Sequence, residues 1–279
     1  MRPERRQASM TMSMPASPTV LRAEHGEAAP LSSVARSSIT AHWPLLLAIG
    51  LGVATAFFRL GTKGLWGDED WNVFFIQPSL TQTFLHFPAP PNLPLNFLLV
   101  QLATTFNDGH FWVRLPSAVL GAATVPLLFV LGCRFFDRWT ALGAALLLAV
   151  APYHVWYAQD ARPYAPLTFY ALLSLYFFCH VLRRPSPGST AGFMVATTLA
   201  IYNHLFGLFP LLIELVAAGA WALARMVQAP GRTTPRPEQA RSHTARTLAA
   251  ILAGTAAALV AAWPVLPGIA AYVMGEGAN

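Results

Sequence analysis

Apolar residues run through this chain in long blocks, over Trp43 to Leu60, Trp112 to Gly132, Trp139 to Ala158, Ala165 to Leu182, Ala191 to Val227 and Thr247 to Trp263. Blocks near ~20 residues match the hydrocarbon thickness of a bilayer, so the pattern predicts an all-α polytopic membrane protein. The fifth block is too long for one crossing. As a helix it would extend about 55 Å, which predicts two spans joined at Tyr202-Asn203-His204. The result is about seven transmembrane helices, near 43–60, 112–132, 139–158, 165–182, 191–203, 205–227 and 247–263. Between the first two lies a long loop, 61–111. It carries an amphipathic stretch, Trp71 to Phe87, expected as one interfacial helix ended by Pro88, Pro90 and Pro91. A second short apolar piece, Pro94 to Phe106, has the length of an interfacial or re-entrant helix.

A composition of 55% hydrophobic and 11% charged residues excludes an ordinary soluble domain. The formal charge of +6 comes mostly from arginines in short loops, and no basic-aromatic groove accompanies them, so membrane lipids rather than nucleic acid are the expected partners. Those arginines also orient the spans. With the N-terminus cytoplasmic and Pro94 to Phe106 not crossing, fourteen of the eighteen basic residues lie inside and only Arg59, Lys63, Arg114 and Arg162 lie outside. The outer face then receives the loop 61–111, the segment 159–164, the turn at His204 and the chain after Trp263. Residues 1–41, rich in Arg, Ser, Ala and Pro, are expected as a disordered cytoplasmic tail. Trp43 to Leu60 reads as an uncleaved signal anchor. Cys133 and Cys179 sit beside arginines at span ends and are expected as free thiols.

This topology gathers chemistry on one face: Asp68 and Glu69 in "GLWGDEDW", Asp160 and Arg162 in the second outer segment, and His204. Acidic and basic groups from three separated loops suit a site that handles a charged headgroup while its apolar tail stays in lipid. Asp160 and Arg162, two residues apart, point to different sides of a helix and so to different partners. Tyr153, Trp156 and Tyr157 read as an aromatic belt, and His204 also reads as a polar turn residue. No HExxH, CxxC, EF-hand, phosphate-loop or dinucleotide-turn spacing occurs. Polar residues at span ends, rather than at the bilayer midplane, argue against a transporter.

The stretches "LWGDEDW", "PPNLPLNFLL", "RLPSAVLGAATVPLLFVLGCRFF", "YHVWYAQDARPYA" and "NHLFGLF", in this order over roughly 43–267, resemble the GT-C fold membrane glycosyltransferases. The resemblance is to the protein-mannosyltransferase-like family 39, which includes lipid A aminoarabinose transferases and rhizobial lipopolysaccharide glycosyltransferases. It implies a GT-C-type N-terminal module in the bacterial inner membrane with its active site on the outer face. It implies inverting transfer from a polyprenyl-phosphate-linked sugar to a lipid, polysaccharide or protein acceptor. Asp68 matches the general base, which needs an ionised carboxylate beside the acceptor hydroxyl, and Glu69 orients it or shares the site. Asp160, Arg162, Tyr164 and His204 become substrate contacts, with Arg162 suited to the lipid phosphate. The carboxylates admit a divalent cation without requiring one. Two departures stand out: the proline-broken Pro91 to Asn96, and a chain that ends soon after the seventh span where relatives continue past 268–279. The second favours an alternative, a C-terminally truncated, inactive relative that binds polyprenyl phosphate or serves as a membrane structural partner.

Overall fold

The computed structural model describes residues 31–86, 93–228 and 237–274, and the regular elements within them are all helical. In chain order they are α1 (Leu31–Phe57), α2 (Gly67–Phe74), α3 (Leu80–Leu85), α4 (Pro94–Thr104), α5 (His110–Gly132), α6 (Arg138–Val150), α7 (Pro152–Ala158), α8 (Tyr164–Arg183), α9 (Pro187–Asn203), α10 (Leu208–Gln228), α11 (Pro237–Ala262) and α12 (Leu266–Val273). Four stretches are long and apolar enough to cross a membrane: α5, α8, Leu205–Val227 and Arg241–Ala262. A fifth is added if α6 and α7 form one bent span. Of the remaining two in the expected seven, Trp43–Phe57 is shorter and α9 has 17 residues. The protein is thus an all-α polytopic membrane protein. Residues 1–41 and 42–279 form separate units, and every helix from α2 onward belongs to the second. The expected tail up to Pro30, the prolines at 88–91 and Arg232 and Arg236 lie outside the described residues.

Three breaks shape the second unit. Trp139 to Ala158, expected as one span, bends by 60° between α6 and α7. Pro152 supplies no N–H, and Ala151 before it adopts an extended φ/ψ of −63°/124°. The amphipathic stretch from Trp71 is likewise two short helices, not one. Pro78 interrupts it, Ser79 caps α3 through the Gln82 N–H, and the Gln77 N–H turns to Thr83 Oγ1 at 2.8 Å. The third break is at His204, whose extended backbone ends α9 and leads through a 3-10 turn, Leu205–Gly207, into α10.

Helices α5, α8, α9 and α11 form the body, with α4 packed against α5 and burying Asn96, Phe97 and Val100. One core gathers Phe178, Phe193, Ile201 and Ile251, and another gathers Ala48, Val125, Phe129 and Ala145. Lipid gives no hydrophobic drive between helices, so close approach depends on small residues. Gly121 illustrates this: a Cβ there would lie 2.6 Å from Ala158 Cβ and 3.2 Å from its Cα. Gly121→Ala is therefore expected to force α7 off α5 and to cost about 1–3 kcal/mol, an overpacking penalty. A lowered melting temperature of the solubilised protein would register it; an unchanged one would contradict the packing.

Candidate active site

The adjacent carboxylates Asp68 and Glu69 lie in the first turn of α2, where anionic side chains suit the helix dipole. Their environments then diverge. Glu69 is fully buried. Its Oε1 accepts from Arg114 Nε at 2.6 Å and from the Ala161 N–H at 3.0 Å, and its Oε2 from Arg114 Nη2 at 2.5 Å and the Trp66 N–H at 3.3 Å. Arg114 projects from the first turns of α5 and spends its other donors on the carbonyls of Leu60, Lys63 and Gly64 at 2.9–3.1 Å. The guanidinium fork is thereby filled. Burial pushes the Glu69 carboxyl up, but the hydrogen bonds from Arg114 and Ala161 outweigh it and hold the group below the usual carboxylate range.

The segment after α7 is pinned carbonyl by carbonyl, as buried irregular backbone requires. Asn72 Nδ2 donates to Ala161 O at 2.5 Å, with Asn96 Nδ2 at 3.4 Å. Ser117 Oγ donates to Arg162 O at 3.1 Å and Asn203 Nδ2 to Pro163 O at 2.7 Å. Residues from α2, α4, α5 and α9 thus converge on three consecutive residues, Ala161 to Pro163, and fix the course of the segment that carries Asp160 and Arg162.

Those side chains face different ways. Arg162 turns to Asp68, donating to its carbonyl at 3.2 Å and lying 3.8 Å from its Oδ2. The Asp68 side chain is 51% exposed, whereas Arg162 is 12% exposed and its buried Nε has no partner among the described residues. Arg162 also lies over the Tyr164 ring, 5.8 Å from its centroid. Tyr164 in turn packs against Tyr157 and His204. His204 is buried, and its Nδ1 accepts the Phe206 N–H at 3.1 Å, so it caps the 3-10 turn. Burial, aided by Arg162, brings its pKa down to about 4, leaving the ring neutral near pH 7.

Asp160 lies beside the Glu69–Arg114 pair and faces Trp66. Its Oδ1 accepts from Trp66 Nε1 at 3.2 Å, while Oδ2 is buried without a partner among the described residues. Burial, together with the negative Glu69 nearby, raises its pKa to about 7. Asp160 and Glu69 line a cavity of about 340 Å³ whose other walls include Arg59, Lys63, Trp66 and Trp156. Arg59 reaches it from a left-handed backbone, φ 55°, that turns the chain at the end of α1.

The opposed shifts of Asp160 and His204 give a pH signature. Between the ordinary aspartate value of 3.8 and about 7, folded Asp160 binds more proton than the unfolded chain, so its contribution to stability falls as pH rises. His204, lowered from 6.5 to about 4, binds less, so its contribution rises over that window. The two slopes offset each other. Asp160→Asn removes the first, and the variant's melting temperature is expected to climb more steeply than wild type between about pH 4 and 6.5. Parallel profiles would contradict the assignment.

The structure thus brings Asp68, Arg162, Tyr164 and His204 along one side and sets Glu69 and Asp160 behind them. For a divalent cation the fit is poor around Glu69, whose oxygens already face a guanidinium, and no three His, Cys, Asp or Glu side chains are grouped as ligands among the described residues. Sequence reasoning missed Arg114, Asn72, Asn96 and Asn203. Arg114 carried a signal: an arginine at the third position of an apolar run is costly unless paired. The amides carried none.

A family model for dolichyl-phosphate-mannose-protein mannosyltransferases matches residues 90–231, just over half of the 279 residues. The matched region contains Arg114, Asp160, Arg162, Tyr164 and His204; Asp68 and Glu69 precede it. No curated protein matches the chain.

Proposed function

Because this chain belongs to the dolichyl-phosphate-mannose-protein mannosyltransferase family, a family of membrane glycosyltransferases, we propose that it transfers a sugar from a polyprenyl-phosphate-linked donor to an acceptor hydroxyl with inversion. The observation that carries the proposal is the half-exposed Asp68 carboxylate facing Arg162 at 3.8 Å, whereas the Glu69 and Asp160 carboxyls behind it are buried. Asp68 takes the acceptor proton as the oxygen attacks the anomeric carbon. The anomeric C–O bond breaks and its electron pair leaves on the lipid phosphate. Arg162, whose donors are incompletely used, binds that phosphate and stabilises its charge. Glu69 is a positioning residue: it holds α2 to Arg114 and to the Ala161 N–H, and so sets the distance between Asp68 and Arg162. Tyr164 and His204 support Arg162 from behind.

The charge distribution supports an extracytoplasmic site. The ends of α5, α8 and α10 remote from Asp68 carry Arg134, Arg183, Arg184 and Arg225, and the start of α11 carries Arg241 and Arg246. A bacterial inner membrane with those ends in the cytoplasm is the corresponding orientation. The acceptor is a lipid, polysaccharide or protein hydroxyl. Membranes containing the chain, given a radiolabelled polyprenyl-phosphate sugar, should release free polyprenyl phosphate and label an acceptor. Binding of the lipid without release would instead make the chain a polyprenyl-phosphate binder.

A further inference from the structure

At the end of the bundle opposite to Asp68, α8, α10 and α11 enclose a cavity of about 540 Å³. Its charged and polar lining includes Arg183, Arg225 and His243, and its apolar lining includes Phe135, Leu182 and Trp221. The basic groups around it are held by neutral atoms. Arg183 Nη2 donates to Arg134 O at 3.0 Å, His243 Nε2 lies 3.2 Å from Arg183 O, and Arg225 lies over the Trp221 ring at 5.5 Å. Arg134 adjoins them, its Nη2 2.7 Å from His180 Nε2, an approach that requires the unprotonated imidazole nitrogen as acceptor.

Among the described residues, none of Arg134, Arg183 and Arg225 pairs with a carboxylate. The acidic side chain of α10, Glu214, is buried, does not line the cavity and accepts from Ser174 at 3.0 Å. Two guanidiniums and an imidazole therefore face one cavity with no acidic side chain in its lining. Guanidiniums bind phosphate oxygens through paired N–H groups. Basic pockets between membrane helices hold lipid headgroups where apolar walls can take the acyl chains.

We propose that this cavity binds a phosphate-bearing anion, and its apolar walls match the headgroup of an anionic phospholipid. The site is separate from the transfer chemistry and stands whether or not the chain turns over a sugar donor.

The test is native mass spectrometry of the full chain from nanodiscs of phosphatidylcholine mixed with phosphatidylglycerol. Wild type should retain phosphatidylglycerol selectively. Arg225→Gln should lower that retention about fivefold and Arg183→Gln/Arg225→Gln further, as expected for one surface charge contact each. Arg225 is exposed and, among the described residues, makes no hydrogen bond or ion pair and lies only over the Trp221 ring, so the single variant keeps the test open if the double variant fails to fold. Arg246→Gln, at the same end but lining a different cavity, should leave retention unchanged. Equal loss with Arg246→Gln, or no loss with Arg225→Gln, would overturn the site. Displacement of the lipid by inorganic phosphate would assign the same site to a soluble phosphate; retention assigns it to the headgroup.

Discussion

Arg114→Met should destabilise the folded protein by about 3–5 kcal/mol, the range for breaking a buried ion pair from one side. Glu69 would keep its charge in a fully buried position with two of its four donors gone, and the carbonyls of Leu60, Lys63 and Gly64 would lose theirs. Because these contacts join the end of α1, α2, α5 and the segment after α7, the loss falls on the fold as much as on the site. Arg114→Lys should recover only part of it. An ammonium has three donors on a flexible stem and cannot reproduce the planar fork that reaches both carboxylate oxygens and three carbonyls. Pairing Glu69→Leu with Arg114→Met removes both charges and should be milder than either single charge removal, since what costs most is the unpaired ion. Thermal unfolding of the solubilised protein, with the membrane level beside it, reads all three. A loss below about 1 kcal/mol for Arg114→Met would mean that water reaches Glu69 and that the clamp is a surface pair.

The apolar runs made the helical class legible, since a bilayer demands length and continuity that few other constraints imitate. Finer features depended on what each run packs against. Pro152 was visible in the chain, yet an apolar run containing a proline still looks like one span, and only the 60° bend separates α6 from α7. Apart from the resemblance, which made Asp68 the base, nothing in residue type or position told Asp68 from Glu69. Neighbours on a helix project about 100° apart, so one faces the interior and the other does not, and the sequence cannot say which before Arg114 is placed. Reading Arg114 as one of four outer cations hid its buried role. Burial together with the negative Glu69 raises Asp160, about ninety residues further along the chain, a coupling visible only once the two are folded together. Asn72, Asn96 and Asn203 were illegible because their function is to satisfy backbone carbonyls that exist only once the Asp160–Pro163 segment is folded.

The second large effect is on chemistry. On the proposed mechanism, Asp68→Asn should lower release of polyprenyl phosphate about 10²–10⁴-fold, the usual contribution of a positioned general base. The fold should survive, because the Asp68 side chain is half-exposed and its ion pair with Arg162 spans 3.8 Å, a geometry worth little to stability. Glu69→Gln provides the contrast. Its amide can still accept from Arg114 but no longer neutralises it, so the protein level should fall first while turnover per folded molecule falls less. Normalising release to folded protein separates the two adjacent residues: a base gives loss of rate at constant level, an anchor gives loss of level. If normalised release in Asp68→Asn equals wild type while Asp160→Asn abolishes it, the reacting carboxyl is the buried one, titrating at about 7. The donor would then lie in the cavity lined by Trp66 and Trp156 rather than against Arg162.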